Sequence, residues 1–220
     1  MKVTMSQDNR KMGAYITSTS FPPPKTCNCE AGCFAIRAGC KKKWECYAMN
    51  MYYNPMLTLK GHEISTVGES WERNWEIYQS DKEQYWREVE AAIMMSRFFR
   101  YFVGGDIPDT DYFIRMLDVA ERNPHCEIIC FTKKFDICNK VLETRKLPSN
   151  LHLIFSMWKG LEMNNPFNLP ECHVLYKDGT TTAKDEKTSF ICSGSCEACA
   201  KTKSMCFNLK NNEQVLIKQH

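Results

Sequence analysis

The chain has 220 residues, 43% of them hydrophobic, with 29 basic against 26 acidic side chains, so it can bury one full core and is too balanced to be disordered. A net charge of +3 without a continuous basic stripe counts against electrostatic capture of nucleic acid. No run reaches the roughly 18 apolar residues of a membrane helix, and Met1 to Gly13 is polar, without the apolar stretch of a signal peptide, so a soluble, cytoplasmic protein with no membrane partner is expected.

In chain order, the strand-like run Ala14 to Phe21 leads into the stiff Pro22-Pro23-Pro24 and then a cysteine window, Cys27 to Cys46. Ser80-Asp81-Lys82-Glu83 reads as a capping box, with Tyr85, Val89, Ala92 and Ile93 on one face of a helix over about 81 to 96. Phe98 to Val103 (FFRYFV) reads as a buried strand that stops at Gly104-Gly105. Asp109 then caps a helix whose Phe113, Met116, Leu117 and Ala120 share a face and which Pro124 closes. Glu127 to Thr132 is the next strand, Phe135 to Arg145 the next helix, and Leu151 to Trp158 a further strand after Leu147-Pro148. Strand centres recur at about 25-residue intervals, the length of a strand, a crossover helix and two short loops, so the sheet should be parallel. Pro166 and Pro170 rule out a long helix before the short run Cys172 to Tyr176. The stretch from Thr180 is polar and Cys-rich, has too few apolar residues for a core of its own, and should depend on metal for order.

The expected architecture is therefore an α/β parallel sheet with a Cys-rich N-terminal loop and a Cys-rich C-terminal tail. The α/β domain spans 1–178, including the loop 27–46, and the metal-binding segment spans 179–220. A complete eight-unit barrel of about 250 residues does not fit.

Nine of the thirteen cysteines fall in two windows, Cys27 to Cys46 and Cys192 to Cys206. In a reducing compartment, thiols gathered in this way are metal ligands rather than a disulfide framework. Cys192, Cys196, Cys199 and Cys206 form C-x3-C-x2-C-x6-C, with Ser193, Gly194 and Ser195 letting the loop curl. Four soft ligands suit an iron-sulfur cluster of 4Fe-4S type, or zinc, and the single C-x2-C pair tilts the choice to a cluster. The first window holds Cys27, Cys29, Cys33, Cys40 and Cys46, more than one cluster requires. Cys126, Cys130, Cys138 and Cys172 lie on predicted strands and a helix, where cysteine acts as a small core hydrophobe. His62, His125, His152 and His173 are isolated, and surface or core roles outweigh ligation for each.

The ordered block TCNCEAGC, ECYA, RNWEIY, FFRYFVGGDIPD, CFTKKF, LPSNLHLIFSMW and CSGSCEAC, running from Thr26 toward His220, resembles the phage "gene product 88" family, which looks distantly related to radical S-adenosylmethionine proteins. The resemblance implies an iron-sulfur protein on a barrel-like α/β fold, at this length a partial (β/α) barrel-like parallel sheet, with no settled reaction. Cys46-Tyr47-Ala48 is similar to the end of a cluster-binding loop. Gly104-Gly105-Asp106 is similar to the Gly-Gly-Glu turn that holds the methionine amino group of S-adenosylmethionine, and the competing reading is a plain strand-to-helix turn. The three-cysteine spacing of radical enzymes is not met at Cys29-x3-Cys33. Cys192, Cys196 and Cys199 meet it, but with a fourth thiol to close the site. Three functions follow: a radical enzyme acting on an unknown substrate, a redox, sensing or host-interaction module with fully ligated clusters and an electron donor, or a structural zinc protein.

Overall fold

A computed structural model describes residues 1–7, 12–27, 46–60 and 63–219. Cys29, Cys33, Cys40 and His62 lie outside the described residues. β1 (Ile16–Thr19) is followed by the short helices α1 (Pro23–Thr26) and α2 (Tyr47–Tyr52), then by an antiparallel ribbon of β2 (Thr58–Lys60) and β3 (Glu63–Ser65). Helices α3 (Val67–Ser80) and α4 (Lys82–Met94) lead into an alternation of β4 (Phe98–Tyr101), α5 (Thr110–Arg122), β5 (Glu127–Thr132), α6 (Phe135–Leu142), β6 (Leu151–Ser156) and β7 (Glu171–Leu175). β8 (Thr188–Ile191), α7 (Cys196–Thr202), a 3-10 turn at Met205–Phe207 and β9 (Glu213–Lys218) follow.

Seven strands form one sheet in the order β1-β4-β5-β6-β7-β9-β8, each paired parallel to its neighbour. The sheet ends on β1 and β8 and does not close, so the fold is the partial, barrel-like α/β arrangement the sequence predicts.

Alternation along each strand sorts the side chains into two layers. Phe99, Tyr101, Ile128, Cys130, Leu151, Leu153 and Phe155 pack beneath the helices, with Ile77 and Tyr78 of α3, Tyr85, Val89 and Ile93 of α4, and Phe113, Met116 and Leu117 of α5. The intervening Phe98, Ile129, Ile154, Cys172 and Val215 face the opposite way, against Cys199 and Ala200 of α7 and Phe207 of the 3-10 turn. The expected tail thus has no core of its own but covers the second face of the common sheet. Its β9 inserts between β7 and β8, with Val215 fully buried.

The helix starts follow from local chemistry. Thr66 and Glu69 form a reciprocal capping box at α3, a helix the sequence reading did not anticipate. The expected box at Ser80 is corrected: Asp81 is the cap, its Oδ1 accepting from the Gln84 N–H at 2.8 Å, while Ser80 ends α3 and turns its hydroxyl back to the Glu76 carbonyl. Asp109 caps α5 as predicted, accepting from the Tyr112 N–H at 2.7 Å. α6 stops at Leu142 rather than Arg145, where the Thr144 N–H makes a tighter i→i−3 bond to the Val141 carbonyl at 3.1 Å.

Candidate functional site

Because the strands are parallel, their carboxyl ends share one edge of the sheet, the place where open α/β sheets bind ligands. A cavity of about 160 Å³ lies there. Its wall is built by the residues leaving α1 (Cys27), β4 (Phe102 to Asp106), β5 (Lys133), β6 (Met157 and Trp158), β8 (Cys192) and β9 (Gln219), and by Cys46, Cys196 and Cys206.

Both cysteine windows therefore reach one place. Cys27 arrives as the cap that ends α1, its N–H on the Pro23 carbonyl at 2.9 Å, and Cys46 as the residue that begins α2. Tyr47 holds α2 to the end of β4 by donating its hydroxyl to the Val103 carbonyl at 2.7 Å. From the other side, Cys192 follows β8, tied to β9 by its N–H on the Leu216 carbonyl at 2.8 Å. The curl expected of Ser193-Gly194-Ser195 is present. Gly194 takes φ +84°, which an L side chain resists, and its N–H points at Cys192 Sγ, 3.4 Å away. Ser195 caps α7 through the Ala198 N–H, setting Cys196 on the first turn facing the cavity. Cys206 sits in the 3-10 turn, and burial, followed by the fields of Cys172, Cys192, Cys196 and Cys199, pushes its thiol well above the ordinary cysteine range. Cys199 is buried in the sheet layer, beside the Ser193 hydroxyl at 3.6 Å, rather than on the cavity wall. Among the described residues, no three His, Cys, Asp or Glu side chains are gathered tightly enough to hold a single metal ion.

Two residues of the cavity wall escape the sequence reading. Cys172, expected as core, is indeed buried on β7 but also lines the cavity. Arg100 is the lone charge in FFRYFV and is only 6% exposed. Its Nη1 lies 3.7 Å from Cys196 Sγ, its guanidinium stacks over Phe131 at 5.0 Å, and its Nε is buried without a partner. Burial works against this cation, but the fields of Tyr47, Cys196, Cys206 and Cys130 outweigh it and hold its pKa above the usual arginine value. A charge midway along an otherwise apolar strand must be buried with compensation, which is the signal that could have found it.

Gly104, Gly105 and Asp106 stand on the cavity wall, but their conformations have causes within the chain. A Cβ on Gly104 would fall 2.1 Å from the Trp71 ring. Gly105 takes φ +82°, and a Cβ there would meet the Phe21 carbonyl at 2.6 Å. Asp106 is buried, and its carboxylate accepts from Thr132 Oγ1 at 2.6 Å and from the N–H groups of Lys133 and Ile107, both at 2.8 Å. Burial raises its pKa against these bonds. The carboxylate thus clamps the end of β4 to the end of β5.

The remaining candidates behave as expected for packing. Cys126, Cys130 and Cys138 are fully buried, and burial pushes Cys126 up to about 12 and the other two well above the ordinary range. Neutral buried thiols act as small hydrophobes. His152 pairs with Glu127 at 2.9 Å and His173 with Glu171 at 3.1 Å. No described helix is long and apolar enough to cross a membrane.

Among known proteins, no curated protein and no solved structure matches the chain. The family model for gene product 88 matches residues 2–165, from the first residues through β6. That span contains Cys27, Cys46, Arg100 and Gly104 to Asp106. It ends before Cys172 and the second cysteine window, short of the His220 to which the resemblance read from sequence extends. Covering well over half of the 220 residues, the match establishes that this chain belongs to the phage gene product 88 family.

Proposed function

We propose that the cavity at the carboxyl edge of the sheet holds an iron-sulfur cluster, of 4Fe-4S type, and that the protein works through it as an electron-transfer or sensing module. The observation that carries this reading is the meeting of two cysteine windows, far apart in sequence, around one cavity that also contains a buried guanidinium. Cys192, Cys196 and Cys206 would hold the cluster from one side, with Cys27, Cys46 and Cys172 available on the others. The donor set fits: thiols are soft, and the unpartnered Arg100 Nε supplies positive charge where thiolates need it. Thiols spread around a volume suit a polynuclear centre, whose inorganic sulfide separates the protein ligands. A single zinc ion gathers sulfur at about 2.3 Å, which is tighter than these side chains stand. When bound, such a cluster supplies one-electron chemistry at a potential set by its charge, burial and hydrogen bonds. The Gly194 N–H and the Arg100 guanidinium are placed to donate to the sulfurs of Cys192 and Cys196.

Anaerobically purified protein should be brown and carry iron with acid-labile sulfide. Cys196→Ser and Cys206→Ser should lose most of the iron, while Cys126→Ser keeps it. Colourless protein with stoichiometric zinc overturns the reading and favours the structural zinc alternative.

A second reading adds S-adenosylmethionine, making the protein a radical enzyme on an unknown substrate. Its support is the place of Gly104-Gly105-Asp106 on the same cavity wall. Against it, the Asp106 carboxylate is engaged by three donors of its own chain. Anaerobic calorimetric titration decides: no heat of binding at millimolar S-adenosylmethionine removes the enzyme and leaves the module.

A further inference from the structure

A buried arginine ordinarily sits beside a carboxylate, because its guanidinium cannot shed its proton within the protein and burial without compensation is costly. Arg100 departs from this. Its side chain leaves β4 on the face covered by α7, its Nη1 reaches only a sulfur, its Nε has no partner, and an aromatic face lies beneath it. Asp106, the carboxylate on the same cavity wall, is committed to Thr132, Ile107 and Lys133. Among the described residues, the cation therefore faces a space bounded by thiols and Tyr47, and what those thiols hold can supply its compensation.

We propose that Arg100 is the internal counter-cation of the thiolate-bound centre and raises its reduction potential. This rests on the cluster reading given above. Cysteinate ligands make such a centre anionic, and reduction places one further electron on it, with no bond made or broken in the protein. A fixed positive charge beside Cys196 in a low-dielectric cavity stabilises the more negative, reduced form more than the oxidised one. Arg100 acts through the ligand sulfur, so it is a positioning residue. The same contact aims Cys196 from the first turn of α7 toward β4, linking the C-terminal layer to the sheet by charge as well as by packing.

The test compares wild type with Arg100→Gln, which removes the charge, and Arg100→Lys, which keeps it but loses the planar fork. All three are reconstituted anaerobically with iron and sulfide. Iron content is measured first, and the midpoint potential then follows from a redox titration monitored by electron paramagnetic resonance. Arg100→Gln is expected to shift the midpoint to more negative values by about tenfold in the reduction equilibrium, about 59 mV for a one-electron couple. Arg100→Lys should lie between it and wild type. Loss of iron by Arg100→Gln with retention by Arg100→Lys also supports the proposal, since charge alone then separates the two. Equal iron with coincident midpoints, or a positive shift, overturns the role of Arg100 and leaves the cluster reading intact. If Arg100→Gln fails to fold, a midpoint of Arg100→Lys at or above that of wild type overturns the proposal. Wild type without iron overturns the cluster reading and the Arg100 proposal with it.

Discussion

Gly104 and Asp106 show how one turn can resemble a ligand loop and still be dictated by packing. Adding one methyl at position 104 drives it into the Trp71 ring, so Gly104→Ala is expected to cost about 1 to 3 kcal/mol in denaturant unfolding. Asp106→Ala leaves the Thr132 hydroxyl and the Lys133 and Ile107 N–H groups without an acceptor, and each orphaned buried donor costs about 1 to 3 kcal/mol. An alanine there therefore confounds a lost cofactor contact with a loosened β4–β5 junction. Asp106→Asn keeps a carbonyl acceptor and is the sharper probe of S-adenosylmethionine binding. An unchanged stability for Gly104→Ala would mean that Trp71 yields and that the two glycines have another purpose.

Among the secondary-structure elements, the sequence was most readable where burial is two-sided. β4 to β7 are short apolar runs with glycine, proline or a capping aspartate beside them, and their observed bounds differ little from the predicted ones. α3 was not readable in the same way. Its buried positions mix Trp71, Ile77 and Tyr78 with Gly68, Ser70 and Asn74, so small and polar residues interrupt its apolar stripe, and its start signal lies at Thr66 and Glu69. β8 and β9 were hidden for a related reason: Thr188–Ile191 is mostly exposed, and Glu213–Lys218 buries only Gln214 and Val215 fully. The meeting of the cysteine windows depends on that strand insertion, a topological fact that no local pattern records. Phe207 fixes the layer in place, lying 5.4 Å from the Phe98 ring and 5.7 Å from His152. Phe207→Ala is expected to destabilise the protein by about 3 to 5 kcal/mol and to raise the alkylation rate of the cavity thiols before global unfolding. Equal alkylation rates in variant and wild type would show that α7 and its neighbouring turn are held by something else.

At the scale of the whole molecule, a buried ionic cluster ties β7 to the segment that leads into β8. Glu171 is fully buried, accepting from Lys187 Nζ at 2.7 Å and Asn165 Nδ2 at 2.9 Å, with His173 Nε2 at 3.1 Å and the other His173 nitrogen on Thr182. Burial alone would raise its pKa, but the bonds from His173, Lys187 and Asn165 prevail and hold it at about 2, below the ordinary 4.5. A depressed carboxylate contributes stability that is fully present above its unfolded value and lost as pH falls through the folded one. This share should therefore disappear between about pH 4.5 and pH 2, on the order of 2 kcal/mol of it by pH 3. Unfolding measured at pH 7 and pH 3 should show Glu171→Gln less stable than wild type at pH 7, with the gap narrowing at pH 3. A gap independent of pH would place the ionisation elsewhere.

The insertion of β9 between β7 and β8 also orders events during synthesis. A chain emerging from the ribosome at roughly 5 to 20 residues per second presents β8 before the strand it pairs with exists. Until residues 213–218 emerge, Thr188–Ile191 has no ladder to join, and Cys192, Cys196 and Cys206 are carried on an undocked arm. The nascent protein thus passes through a stage in which these thiols are open to the solvent, and docking of β9 ends it. Chains stalled before residue 213 should be cleaved by protease after residue 178 and have these thiols alkylated rapidly, whereas the completed chain should be alkylated slowly; equal alkylation rates would show that β9 does not close the arm.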